Sequence, residues 1–253
     1  RLSGSRLTIP NVRSPEDLRL LSHLCASAPA LGSSDGWHVR FGRELNASDD
    51  RARLRPPGHG IPVVEGKHLR PFAVDLSAAR ASLPLDLLTA APGRLVRVRH
   101  ARLAYRDVAS ATNRVSLIAA ILPAMTVSTH TLFTLETPLE HDDQLLLCAV
   151  FNSYVANAYV RLFISNHITT ALLETLPVPR PPRGSHEYRV IASLARRMLD
   201  DPADLAAHAK LQAAVAHLYR LDEALYAHVL AGFPLVEAHL RLTAMEAFDQ
   251  QPY

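Results

Sequence analysis

The stretch PVPRPPRG at 177–184 constrains this chain more than any other. Four prolines between 177 and 182 remove backbone donors, fix φ and push each preceding residue away from helical geometry, so neither a helix interior nor a central strand can pass through. The segment is expected to run as an extended spacer. Beyond it, EYRVIASLARRMLD, ADLAAHAKLQAAVAHLYRL, DEALYAHVLAG and PLVEAHLRLTAMEAF carry apolar residues at helical spacing, with Pro202, Asp222 and Gly232 at the joints. Residues 183–253 therefore predict a small helical subdomain.

Ahead of the prolines the dominant period is two. SPEDLRLLSHLCASA, with Ser14 as cap and Pro15 in the first turn, predicts a helix within a lead-in of residues 1–36 that ends at LGSSDG. WHVRFGREL, IPVVE, LRPFAVDL, RLVRVRH, RLAYRDV, SLIAAIL and THTLFTLE then read as short strands, with the charged run 49–55, the turn RPPGHG, Gly66 and Pro123 among the breaks between them. The apolar stretch from about 142 to 164 predicts one helix with Asp142 and Asp143 at its start, and TTALLETL a shorter one. A regular β-α-β alternation is missing, so residues 37–182 predict an α+β domain with a mixed or antiparallel sheet and packed helices.

The formal net charge of +3 conceals a division: residues 1–114 hold 18 Arg and Lys against 10 Asp and Glu, residues 115–253 hold 9 against 14. A basic half favours a polyanionic partner, and with lysine only at 67 and 210 its cations are planar guanidiniums suited to bidentate contact. The base composition of the gene explains an arginine bias equally well. The densest run, 94–114, sets Arg94, Arg97, Arg99, Arg102, Arg106 and Arg114 against Asp107 alone. On strands, Arg97 and Arg99 share one face and Arg102 and Arg106 another, two rows that could track a phosphate backbone across a turn at His100 and Ala101. Asn113 is a candidate for an adenine edge and an arginine for guanine. The competing reading is a solvated sheet face with Asp107 paired to Arg106 or Arg114.

Other chemistries find little support. No glycine-rich nucleotide loop, GxSxG, HExxH or CxxC occurs, and His208, His217, His228 and His239, spaced 9, 11 and 11 apart, do not share a helical turn. Asp50 with Glu65, Gly66 and Lys67 outlines a Mg-dependent nuclease site of paired carboxylates and a lysine, against which stands a strand-end ion pair of Glu65 and Lys67. Cys25 and Cys148 form neither a disulfide framework nor a zinc pattern, which agrees with a reducing interior. Residues 144–164 are interrupted by Asn152, Asn157 and Arg161, so a buried helix is the better reading than a membrane span, and a cytoplasmic location is expected. Opening on Arg, the chain is expected to be part of something longer.

Three ordered strings, VEGKHLRPF at 64–72, LAYRDVASATNRVSLIAAILPAMTVSTHTLF at 103–133 and LLLCAVFNSYVANAYVRLFISNHITTALLETLPVPRPP at 145–182, resemble the C-terminal target-recognition region of bacterial adenine-N6 DNA methyltransferases of restriction-modification and phage-defence systems. The resemblance covers residues 37–182 and, more loosely, the helical tail. It implies sequence-specific binding of double-stranded DNA and positioning of a target adenine for a methyltransferase domain that uses S-adenosylmethionine. Lys67 and His68 would approach DNA near the first turn; Tyr105, Arg106, Thr112, Asn113 and Arg114 would flank the strand leading into AILP; Thr129 and His130 would follow it; Arg70 and the basic run's Arg97, Arg99 and Arg102 complete the expected DNA-binding set. Phe151, Asn152 and Ser153, and the exit Leu176, Pro177, Val178 and Pro179, would be architectural. The Asn/Asp-Pro-Pro-Tyr/Phe sequence that holds a flipped adenine is missing: RPPG and RPPR have the prolines without polar head or ring. The chain is therefore expected to hold no cofactor and to methylate nothing by itself. A protein-interaction module without DNA binding is the alternative reading, and the nuclease a third.

Overall fold

The computed structural model describes residues 9–46, 48–90 and 94–250; the first eight residues of the lead-in and the side chain of Arg94 lie outside them. Helix α1 (Pro15–Ser27) starts where the Ser14 hydroxyl accepts the Asp17 amide at 3.2 Å, with Pro15 in the first turn, where its missing donor has no partner to lose. The strands that follow are β1 (Phe41–Gly42), β2 (Ile61–Val64), β3 (Leu69–Arg70), β4 (Ala73–Val74), β5 (Ser82–Leu83), β6 (Arg102–Arg106), β7 (Ala119–Leu122), β8 (Val127–Ser128) and β9 (Leu132–Leu135), with the short helix α2 (Asp86–Ala90) between β5 and β6. Among the described residues they make an antiparallel sheet in the order β1-β9-β6-β7, a mixed sheet β5-β2-β8 whose β2–β8 pair is parallel, and the hairpin β3-β4. The fold is α+β.

LRPFAVDL folds back as the hairpin β3-β4, and two further expected elements differ for a packing reason. RLVRVRH is a 3-10 turn (Arg94–Arg99): Leu95 and Val98, three residues apart, both enter a small core with Ile61, Val63, Leu83 and Val127, and a three-residue period puts them on one side. Val96, whose alternation suggested a strand, is left exposed. The run expected as one helix divides into α3 (His141–Phe151) and α4 (Tyr154–Arg161), because Ser153 caps α4 at Ala156 and Asn152 turns its amide to the edge strand β7. Asn152 accepts from the Ala119 amide at 3.0 Å and donates to the Ala119 carbonyl at 2.9 Å. A side-chain amide thus imitates a neighbouring strand along an edge where the Phe72 amide also donates to the Ala119 carbonyl.

Helix α5 (Thr170–Leu173) leads into the proline segment, which is a packed strap rather than a free spacer. Val178 is fully buried, the Val178 amide donates to the Pro29 carbonyl, the Tyr219 hydroxyl donates to the Pro177 carbonyl at 2.6 Å, and the Trp37 indole donates to the Pro179 carbonyl at 3.3 Å. The tail forms α6 (His186–Asp200), α7 (Leu205–Leu218), α8 (Glu223–Ala231) and α9 (Ala238–Gln250), each of the first three capped by Ser185, Asp204 or Asp222. One hydrophobic core runs from Leu20 and Leu24 of α1 through Leu103 and Tyr105 of β6, Phe151 and Tyr154, to Val215, Tyr226 and Phe248 of the tail. Burial is therefore continuous across residues 36/37 and 182/183.

Candidate nucleic-acid interface

The basic run converges on β6, and β6 is covered on both faces. Leu103 and Tyr105 point into the large core, while Ala104 enters a second cluster with Val64, Leu69 and Leu132. Arg102, on the Ala104 side, is sealed: its Nε and Nη2 donate to the Glu44 carboxylate at 2.5 and 2.7 Å, Nη2 also to the Thr126 carbonyl at 2.8 Å, and Nη1 to the His100 carbonyl at 3.2 Å. With the Arg102 and Glu44 side chains 4% and 0% exposed, this arginine cannot reach a phosphate. Tyr105 is likewise a core residue, stacked on Phe133 at 5.4 Å and edge-on to Phe41 at 5.3 Å, its phenol pushed far above the ordinary range by burial. These placements overturn the expectation of two guanidinium rows.

Two of the remaining arginines of the run are held in ion pairs. Arg97 pairs with Glu136 at 2.7 Å and Arg114 with Glu237 of the tail at 2.5 Å, while Arg99 is exposed. Asp107 pairs with neither Arg106 nor Arg114 but with Arg43 at 3.4 Å and His167 at 3.3 Å. His68 is buried, its Nδ1 accepting the Glu65 amide at 3.1 Å, so it closes a 3-10 turn (Gly66–His68) instead of facing solvent; burial lowers its pKa against the opposing pull of Glu65. Thr129 is buried with its amide on the Val64 carbonyl, His130 is exposed, and the exposed Thr112 hydroxyl meets Ser110 at 2.9 Å.

What the fold does assemble is a cavity of about 390 Å³ at the open end of β6, where Lys67, Arg106 and Asn113 meet with Glu65, Gly66, Val108 and Thr131. The turn that carries Lys67 is pinned there by the Gly66 amide donating to Thr131 Oγ1 at 2.7 Å. A Cβ on Gly66 would stand 2.9 Å from Arg106 Cγ and 3.0 Å from the Thr131 carbonyl, so the missing side chain is what lets Arg106 lie across the turn. Arg106 is half-buried and makes no ion pair among the described residues; its Nε is buried without a partner. Burial, with the charge of Arg70 adding to it, lowers its pKa, so the guanidinium carries an uncompensated charge that an anion or a base-edge acceptor would relieve. Arg70 is exposed, its Nη1 donating to the Lys67 and Leu69 carbonyls at 3.1 and 3.2 Å. Lys67 shares its charge with Glu65 at 2.5 Å, both in solvent.

The Asp50 carboxylate of the expected nuclease set is engaged within its own turn. Asp50 is buried, its Oδ2 accepting the Asn46 amide at 2.8 Å and its Oδ1 the Arg53 guanidinium at 3.1 Å, which leaves it a turn-closing residue. Among the described residues no group of three or more His, Cys, Asp or Glu could hold a metal ion, and no helix is long and apolar enough to cross a membrane.

The fold is similar to that of a restriction-modification enzyme. The type IIL restriction-modification enzyme MmeI, solved in complex with DNA, matches with a TM-score of 0.50 at 14% identity over 77% of this chain and 35% of its own. A structure of a type I restriction-modification system matches with a TM-score of 0.38 at 17% identity over 92% of this chain and 51% of its own. The chain thus spans about a third and about half of the chains it matches. No family model matches it, and neither does any curated protein.

Sequence reasoning missed the side chains that hold the site. Asn157 Oδ1 accepts the Ser116 and Leu117 amides at 2.8 and 2.7 Å, and Arg161 grips the loop ahead of them. Their signal was present: with Asn152 they are the polar interruptions of an otherwise apolar helical run.

Proposed function

We propose that this chain is the DNA-recognition part of a restriction-modification enzyme, placing duplex DNA against the cavity around Arg106. The observation that carries this reading is the convergence of Lys67, Arg106 and Asn113, from separate stretches of sequence, on one opening where Arg106 has no counter-charge among the described residues. Lys67 and Arg70 would neutralise phosphates; Arg106 has the fork for a guanine edge and Asn113 the amide for an adenine edge. Sequence specificity would come from these groups, and the target would be an adenine presented to a methyltransferase domain outside this chain. Methyl transfer from S-adenosylmethionine belongs to that domain, because the chain has neither the adenine-holding motif nor a glycine-rich cofactor loop.

Duplex binding measured by fluorescence anisotropy over a salt series tests the reading. Wild-type chain is expected to bind, with affinity falling steeply as salt rises. Arg106→Ala is expected to weaken binding about tenfold or more, as for a lost bidentate base contact worth about 1–3 kcal/mol, and Asn113→Ala to relax preference at one position. Wild-type protein that binds no duplex at low salt overturns the assignment. The intramolecular pairs of Arg97, Arg102 and Arg114 are what favours the second reading, a protein-interaction module, since they remove charge from the surface. That module would bind an acidic protein partner with no response to duplex.

A further inference from the structure

The loop at 108–116 stands between two cavities. Asn113 lines the one described above, and Ala111 lines a second of about 130 Å³ behind it, together with Arg13, Asp17, Arg161 and Phe233. Arg161, the last residue of α4, fills the space behind the loop. Its Nε donates to Ser116 Oγ at 3.1 Å, Nη2 donates to the carbonyls of Asn113 and of Arg114, the latter at 3.2 Å, and Nη1 donates to the Gly232 carbonyl at 2.6 Å. The guanidinium also lies 4.0 Å over the ring of Phe233. No carboxylate pairs with it among the described residues. Burial, then Arg13, lowers its pKa to about 10, which leaves it charged at neutral pH.

A half-buried guanidinium held by backbone carbonyls is a geometric device. Its donors lie in one rigid plane, so the carbonyls of residues 113 and 114 can both be met in only one course of the loop. Gly232 and Phe233 belong to the joint between α8 and α9, so the same fork ties the loop to the helical tail. The tail adds a second tie through Glu237 to Arg114, and Asn157 holds the loop's exit.

We propose that Arg161 is a positioning residue for sequence reading: by fixing the backbone at 113–116 onto the helical tail, it sets the direction in which Asn113 enters the cavity and so which base the site prefers. This rests on the DNA-recognition reading above. The tail, net acidic, contributes to specificity through the loop it braces.

The test uses the whole chain with Arg161→Lys, which keeps the charge over Phe233 but loses the fork, and Arg161→Gln, which loses both. Hydrogen exchange at the amides of residues 110–114 is expected to speed up about tenfold or more in both variants, as charge-assisted bonds are lost, with helix amides of α3 and α7 unchanged. A preferred sequence is first selected from a randomised duplex pool with wild-type protein. The variants are then expected to lose most of the ratio between preferred and scrambled duplex affinities, while scrambled-duplex affinity and its salt slope stay as in wild type. A loss of folding alone would lower both affinities together and speed exchange in α3 and α7 as well as at 110–114. Unchanged exchange at 110–114, or a loosened loop with undiminished discrimination, overturns the proposal. Wild-type protein without duplex preference would instead sink the recognition reading, and the exchange measurement would still decide whether Arg161 holds the loop.

Discussion

Removing the Arg102 head group should separate a structural arginine from a DNA-contacting one. In Arg102→Met the Glu44 carboxylate, fully buried, keeps only the Ser128 amide at 2.7 Å, while both guanidinium contacts disappear and the Thr126 carbonyl loses its donor. Breaking a buried pair from one side costs about 3–5 kcal/mol, because the remaining charge is stranded in low dielectric. At about 2–4 °C per kcal/mol for a chain near this size, the melting temperature should fall by roughly 6–20 °C. Replacing both partners, Arg102→Met with Glu44→Leu, should recover a large part of that loss, since no charge is left behind and what goes unpaired is the Ser128 amide and the Thr126 and His100 carbonyls. Differential scanning fluorimetry reads the stability, and anisotropy at a temperature well below every transition reads duplex affinity. The expected pattern is a large drop in melting temperature with duplex affinity of the folded variant unchanged. An unchanged melting temperature with weakened duplex binding would refute the burial argument and restore Arg102 to the interface.

Three further outcomes follow from the same geometry. Gly66→Ala should weaken duplex binding with a modest change in melting temperature, because the new methyl displaces the flexible Arg106 stem at 2.9 Å and crowds the Thr131 carbonyl; unaltered affinity in anisotropy would separate Arg106 from binding. Asn157→Leu should destabilise by about 3 kcal/mol or more, measured by urea unfolding, since it orphans the amides of Ser116 and Leu117 in a fully buried place. His208 is partly buried against Tyr154, and its Nε2, 3.3 Å from Gln212 Nε2, must stay unprotonated to accept; desolvation, then Arg114, takes its pKa down to about 4. Below pH 6.5 the unfolded chain therefore binds a proton that the folded one refuses, and stability should fall from about pH 6.5 toward pH 4 by up to about 1.4 kcal/mol per unit, a slope that His208→Leu should remove.

Local chemistry made much of the architecture legible. Ser14 with Pro15, Ser185 and Asp222 announce helix starts because a cap needs only its own turn, and IPVVE and THTLFTLE pair as strands because their branched residues suit a pleated surface wherever it lies. The residues that converge on the cavity, Lys67, Arg106 and Asn113, were each visible as polar groups beside turns. Their meeting was not, since it depends on the Gly66 turn crossing the end of β6.

The sequence by itself determined the succession of caps, breaks and apolar periods, and with it an α+β chain whose cations lie mostly ahead of its helical tail. Tertiary structure alone decided which of those cations face solvent. Alternation along a strand says which side chains share a face, but β6 lies between neighbours and under layers on both faces, so Arg102 met Glu44 and Tyr105 met Phe133 inside the protein, whereas Arg106, at the strand's end, came out beside an opening. A charge pattern is local, whereas burial depends on what the rest of the chain lays over it.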